Sequence, residues 1–277
     1  MTRIALVTGA NQGIGYALVA ELAARWSPDD LILLTGRDPV RVAEAAASVH
    51  GVARVEGRVL DVTDAAAIDG LAKELGAVDL VVSNATARMT PERTQAEQAD
   101  EVIAVSNGAT HAMLRSFAPV LRPGGRLIVV ASSLGTLGNL DERLHPLFDA
   151  PSLDEVEAIV ESWRTAIHDG TAAGLGWPEW INVPSKVAQV AAVRAVAGAR
   201  RDRDLADGIL IAAVCPGLVD TATSRPWFDD FSRARTPAQA ASVLLDYILS
   251  DRPDTYGEIV RDGQVLPWLS ESATQRA

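Results

Sequence analysis

One cysteine, Cys215, in 277 residues excludes an intrachain disulfide and suits a reducing compartment. Ending an apolar run, it reads as a small buried residue that closes a strand. Long hydrophobic runs are missing too, since nothing approaches the roughly 20 apolar residues that cross a bilayer. The first strand-like run, Ile4–Val7, begins too early for a secretory leader, so a cytoplasmic location is expected. Basic patches are equally scarce: the formal charge is −11 and the pI near 4.8. The clearest cluster, Arg200-Arg201-Asp202-Arg203, is broken by an acid and reads as a solvated helix end. No nucleic-acid partner, no membrane partner and no metal site are expected.

What the chain does have is regular alternation. Its 48% hydrophobic content suffices for one large α/β domain, here 1–277. Strand-like runs are Ile4–Val7, Leu31–Thr35, Arg54–Leu60, Val78–Ser83, Arg126–Ala131, Ile209–Val214 and Glu258–Arg261. Helical patterns alternate with them over Tyr16–Trp26, Val40–Val49, Ala65–Leu75, Glu97–Leu121, Val183–Arg200 and Pro237–Ser250. This predicts a Rossmann-type doubly wound parallel sheet of about seven strands with helices on both faces, whose ligands bind beyond the carboxyl ends of the strands.

One segment interrupts the alternation, an insertion at about 136–181 that would act as a lid or interface cover. Within it, Ser152-Leu153-Asp154-Glu155 has the form of a capping box opening a helix through Ala166. Trp177 and Trp180, flanking Pro178, are expected to wall an apolar pocket.

Between the first strand and the first helix stands Thr8-Gly9-Ala10-Asn11-Gln12-Gly13-Ile14-Gly15. A glycine-rich turn feeding a helix N-terminus makes a phosphate cradle, because unpaired N–H groups and the positive end of the helix dipole converge there. Gly9 would permit the tight turn, Gly13 the close approach of a pyrophosphate, and Gly15 the packing of helix on strand. The second strand ends at Gly36-Arg37, where many such folds place a carboxylate for the ribose 2′-hydroxyl. Space at Gly36 and a cation at Arg37 favour a 2′-phosphate, hence NADP(H).

The motifs that follow are Asp61-Val62, Ser83-Asn84-Ala85, Ser132-Ser133-Leu134-Gly135, Lys186, and Pro216-Gly217 with Val219 and Thr221. In this order on these elements, the chain resembles a short-chain dehydrogenase/reductase over nearly its whole length. It is most similar to the monomeric carbonyl reductases, which carry a comparable insertion. With that resemblance, Gly9, Asn11, Gln12, Gly13, Ile14 and Gly15 are expected to bind the cofactor, with Arg37 as the contact to its 2′-phosphate. The resemblance further implies that Asp61 and Val62 flank the adenine and that Asn84 and Ala85 line the cofactor floor. Pro216, Gly217, Val219 and Thr221 would hold the nicotinamide, Lys186 its ribose, and Ser132 the substrate carbonyl.

The chain departs from the family where protons are handled. The tyrosine expected four residues before the lysine is Asn182, and no tyrosine lies nearby, since the three present are Tyr16, Tyr247 and Tyr256. An amide donates hydrogen bonds but does not release its proton in water. Two roles fit Asn182: N-cap of its helix, with Pro184 in the first turn, or a site amide that polarises a ligand. The family's helix asparagine falls at Ser106, with Asn107 one position later, and Thr86 replaces a glycine. Ser132 with Lys186, a bound water, or His145 and His168 of the insertion are the remaining proton sources. Surface positions explain the two histidines as well.

The expected activity is NADPH-dependent reduction of a hydrophobic carbonyl or related small molecule, catalysed through Ser132, Asn182, Lys186, Asn107 and Ser106. The alternatives are a non-redox cyclisation or isomerisation on the same fold, and an NADP-binding sensor. The insertion would cover the face that pairs subunits, giving a monomer.

Overall fold

The computed structural model describes residues 2–269, so the ends of the expected 1–277 domain lie outside the described residues. The apolar runs form β1 (Ile4–Val7), β2 (Leu31–Gly36), β3 (Arg54–Val59), β4 (Val78–Ser83), β5 (Leu121–Val130), β6 (Leu210–Val214), β7 (Ile259–Arg261) and β8 (Gln264–Leu266). They make one sheet in the order β3-β2-β1-β4-β5-β6-β7-β8. The chain reverses direction of travel between β3 and β4, which leaves a crevice at the carboxyl edge of β1 and β4.

The sheet holds eight strands among the described residues rather than about seven. The additional strand, β8, pairs antiparallel with β7 across Asp262 and Gly263, whose φ angles are 52° and 73°. Both central residues of such a turn need positive φ, and Asp-Gly between two apolar runs is the dipeptide that supplies it.

Helices α1 (Gly13–Arg25), α2 (Pro39–Ser48), α3 (Ala65–Leu75), α4 (Gln95–Val102), α5 (Ala109–Phe117), α6 (Leu153–His168), α7 (Asn182–Ala206) and α8 (Pro237–Ile248) cover both faces. The central strands are therefore buried throughout, with Ala5, Leu6, Val7, Val81, Val82 and Ile211 sealed from solvent. The single helix expected over Glu97–Leu121 is instead α4 and α5 joined by a π-helical segment, Ile103–Gly108. Past α5, a turn containing Pro119 ends the helical run and Leu121 already belongs to β5.

The insertion folds as a 3₁₀ turn, Glu142–Phe148, followed by α6. Ser152 and Glu155 exchange the expected capping bonds, Glu155 N to Ser152 Oγ at 3.3 Å and Ser152 N to Glu155 Oε2 at 2.7 Å. Trp163 and Trp177 pack together, ring centroids 5.8 Å apart, inside the insertion's own core. Trp177 is therefore not the pocket wall that its place in the sequence suggested. Arg200 departs from expectation as well. Its guanidinium forks onto the fully buried Asp204 and reaches the Ala118 carbonyl, so this basic cluster begins with a structural ion pair, not a solvated one. Tyr256 completes the pair by donating to Asp204 Oδ2 at 2.8 Å. Among the described residues no helix is long and apolar enough to cross a membrane.

Candidate active site

The glycine turn is tied to the end of β4. Thr8 Oγ1 accepts the backbone N–H groups of Asn84 and Ala85 at 2.9 and 3.0 Å, and Asn84 Nδ2 returns a bond to the Thr8 carbonyl at 2.9 Å. Gly9 and Gly13 have φ of 61° and 59°, the left-handed region that favours glycine. A Cβ on Gly9 would stand 2.8 Å from Ala85 Cα. At Gly13 it would meet only Thr221 Cγ2, at 3.9 Å, so this edge of the turn opens into space roofed by the loop after β6. At Gly15 the missing Cβ lets α1 lie close on Asn84 Nδ2 after β4 and on the Gly9 carbonyl after β1.

Gln12 occupies the N-cap of α1 without a side-chain capping bond. The N–H groups of the first turn are thus left to a ligand, and the helix dipole favours an anion there. Asn11 lies over Gly36, where a Cβ would come within 3.0 Å of its Oδ1. Beyond Gly36, the exposed Arg37 stands close enough to Asp61 to act on it. Bonds from Thr63, with a smaller contribution from Arg37, hold the Asp61 carboxyl below its ordinary value. Val62 beside it is buried. Arg41, on the first turn of α2, donates to Gln12 Oε1 at 2.6 Å and brings a second cation to this rim. It was missed in the sequence, although its place four residues after Arg37 at a helix start was a usable signal. An uncapped helix start, a turn that opens at Gly13 and two arginines fit a phosphorylated dinucleotide.

At the ends of β5 and β6 the second half of the site assembles. Ser132 is half-buried and its Oγ accepts from Leu134 N at 3.3 Å, leaving its O–H free to donate. Ser133 is exposed, and its N–H meets Cys215 Sγ at 3.1 Å. Gly135 presses this turn onto α7, because a Cβ there would lie 2.8 Å from the Lys186 carbonyl. The turn that carries Ser132 is thus pressed on the backbone of α7 at Lys186. Burial lowers the Lys186 pKa to about 8, and Cys215 acts weakly in the opposite sense. Gly217, at φ 76°, turns the chain after Pro216, and Arg235 holds the Pro216 carbonyl at 3.1 Å. Val219 bridges to Arg235, setting the loop whose Thr221 overlooks Gly13.

Asn182 is not an N-cap. Ile181 fills that place in helical conformation, so Asn182 is the first residue of α7, half-buried, and its side chain makes no hydrogen bond among the described residues. Of the two roles the sequence allowed, the N-cap is excluded. Asn107, rather than Ser106, reaches α7 by its side chain: Nδ2 donates to the Ser185 carbonyl at 2.9 Å and Oδ1 accepts from Ser185 Oγ at 2.9 Å. Ser106 contributes its carbonyl, while its hydroxyl lies 3.4 Å from Thr86 Oγ1. The two insertion histidines are engaged elsewhere, His145 with the Leu140 carbonyl and His168 with Asp100. Trp180 packs on Trp227 with ring centroids 6.2 Å apart, joining the segment before α7 to the loop after β6.

The fold and this arrangement define a class, and residues 3–142 match the short chain dehydrogenase family. The chain belongs to that family. It is 31% identical to mouse carbonyl reductase (NADPH) 3 over 286 residues, 96% of this chain and 99% of that protein. Bovine carbonyl reductase (NADPH) 1 is 29% identical over 289 residues, 96% of this chain and 98% of that one. Among solved structures, salutaridine reductase from Papaver somniferum superposes with a TM-score of 0.77 at 22% identity, covering 93% of this chain and 99% of that chain. NADPH-bound carbonyl reductase from chicken fatty liver gives 0.68 at 22%, covering 96% and 99%. These two show a shared fold.

Proposed function

We propose that the protein is an NADPH-dependent oxidoreductase that reduces a hydrophobic carbonyl compound, with Asn182 standing where relatives of this family use a tyrosine. The observation that carries this reading is the uncapped start of α1 after the glycine turn, flanked by Arg37 and Arg41, with the turn of Ser132 pressed on the backbone of buried Lys186 through Gly135. In this reading Gly9, Asn11, Gln12, Gly13, Ile14 and Gly15 surround the pyrophosphate, and the two arginines take the 2′-phosphate. Asp61, Val62, Asn84 and Ala85 line the adenosine side, and Pro216, Gly217, Val219 and Thr221 line the nicotinamide side. Bound NADPH supplies the hydride.

The chain's own residues orient and polarise. Lys186 holds the ribose hydroxyls, Ser132 donates its free O–H to the carbonyl oxygen, and Asn182 adds a second donor. Neither serves as a strong acid, so the proton that completes the alcohol comes from water at the half-buried Asn182 amide. Asn107 fixes the backbone of Ser185 beside Lys186. Trp180 and Trp227 give the cleft an apolar wall. Helix α6 packs on α4 and α7, covering the face by which subunits of such folds pair, which supports a monomer acting on a small molecule. The buried Cys215 fits a cytoplasmic setting.

Tryptophan fluorescence on addition of NADPH tests the cofactor, and absence of quenching at high concentration rejects it. Loss of NADPH absorbance across quinones, diketones and aryl ketones tests the reaction. Quenching without turnover on any of them rejects the reductase and favours a binding role.

A further inference from the structure

Gln189 sits one turn beyond Lys186 on α7, and its Oε1 accepts from Lys186 Nζ at 2.7 Å. Its Nε2 donates to the Ser106 carbonyl at 3.1 Å and to Thr110 Oγ1 at 2.8 Å. Thr110 Oγ1 in turn donates to the Ser106 carbonyl at 2.6 Å. All four residues are buried, Gln189 with 2% of its surface exposed. The orientation of the amide follows from chemistry alone. The Ser106 carbonyl only accepts, and the Thr110 hydroxyl has committed its proton to that carbonyl, so both need a donor. Only Oε1 is left for the ammonium, and a flipped amide would set NH₂ against NH₃⁺. Glutamine is seldom fully buried, and here both ends of its amide are used.

We propose that Gln189 is a positioning residue that anchors the Lys186 ammonium to the π-helical segment and closes the interior side of that lysine to proton exchange. This rests on Lys186 being the cofactor-side cation of the reading above. An amide joins donor and acceptor without carrying a proton from one to the other, so Lys186 exchanges protons only toward the cleft. The Oε1 contact also favours the charged form against the burial that opposes it. Cys215, at the end of β6, is the other titratable side chain that acts on Lys186. Among the described residues no carboxylate from β5, β6, α5, α6 or the turn at 133–135 does so.

The chain has two lysines, Lys73 and Lys186. Lysine labelled with ¹³C at Cε therefore gives the full-length protein two lysine signals, with Lys73, exposed on α3, as the reference. In Gln189→Met the Lys186 inflection is expected about one pH unit below that of the wild type, and in Gln189→Glu about one unit or more above it. The pH dependence of the NADPH dissociation constant should move in the same order, whereas a purely structural role would change the melting temperature alone. An unshifted Lys186 inflection in folded Gln189→Met overturns the proposal. If that variant does not fold, the absence of an upward shift in Gln189→Glu does so. Failure of the wild type to bind or oxidise NADPH would reject the proposed function and leave the lysine titration to be judged by itself.

Discussion

A Cβ on Gly15 would stand 2.6 Å from Asn84 Nδ2 and 2.7 Å from the Gly9 carbonyl. Neither can retreat, because Asn84 Nδ2 is held by the Thr8 carbonyl and Gly9 is pressed against Ala85. Gly15→Ala is therefore expected to destabilise the protein by roughly 1–3 kcal/mol, as overpacking does. It should also weaken NADPH about tenfold or more by moving the turn. Urea unfolding and fluorescence titration read the two effects. Gly198→Ala on α7, where a Cβ meets nothing within 4 Å, is the control and should be neutral or stabilising.

In the proposed reading Arg37 and Arg41 discriminate between the two nicotinamide dinucleotides. Replacing either by alanine should raise the NADPH dissociation constant about tenfold, the value of one charge-assisted hydrogen bond, and leave NADH unchanged. Equal losses for both dinucleotides would place the arginines away from the 2′-phosphate.

Asn182→Tyr puts an ionisable hydroxyl at the start of α7 without removing any hydrogen bond that the Asn182 side chain makes among the described residues. General acid catalysis contributes about 10²- to 10⁴-fold, so carbonyl reduction should accelerate by at least tenfold. Asn182→Ala should slow it by several-fold. Unchanged turnover in both variants would remove Asn182 from the site.

Much of this site was legible because its signals are local. Positive φ at Gly9 and Gly13 is written in the residue type, and the order of motifs along the chain placed Ser132 just after a strand and Lys186 in the helix that follows the insertion. What escaped depends on contacts distant in sequence. Gln189 shows its i, i+3 relation to Lys186, but its need for Ser106 and Thr110 appears only when the π-helical segment and α5 pack on α7. Asn182 looked like a cap because Pro184 follows it, yet tertiary packing draws Ile181 into the helix and moves the cap back by one residue. Trp177 could not be distinguished from a pocket wall, because the burial partner, Trp163, lies across the insertion. The Asp262-Gly263 hairpin was readable in principle from its turn dipeptide.

His111 on α5 is buried against the insertion. Burial pushes its pKa down to about 4, while Glu157, 3.7 Å from Nδ1, acts in the opposite direction. The unfolded chain takes up this proton near the ordinary histidine value of about 6.5 and the folded chain only near 4. Stability held above pH 6.5 is therefore lost as pH falls through that window. Chemical denaturation of wild type and His111→Leu at several pH values should show a shallower slope in the variant between pH 6.5 and 4. Parallel slopes would mean that His111 titrates normally.

The Trp180–Trp227 contact gives the chain an optical gauge of its own. Two indoles 6.2 Å apart couple their excited states, and one belongs to the segment entering α7 and the other to the loop leaving β6. Any rearrangement that separates those segments changes the near-ultraviolet circular dichroism of the pair. Any change in the spacing of these two segments can thus be followed on the unlabelled chain, without a reporter dye and before a substrate is known.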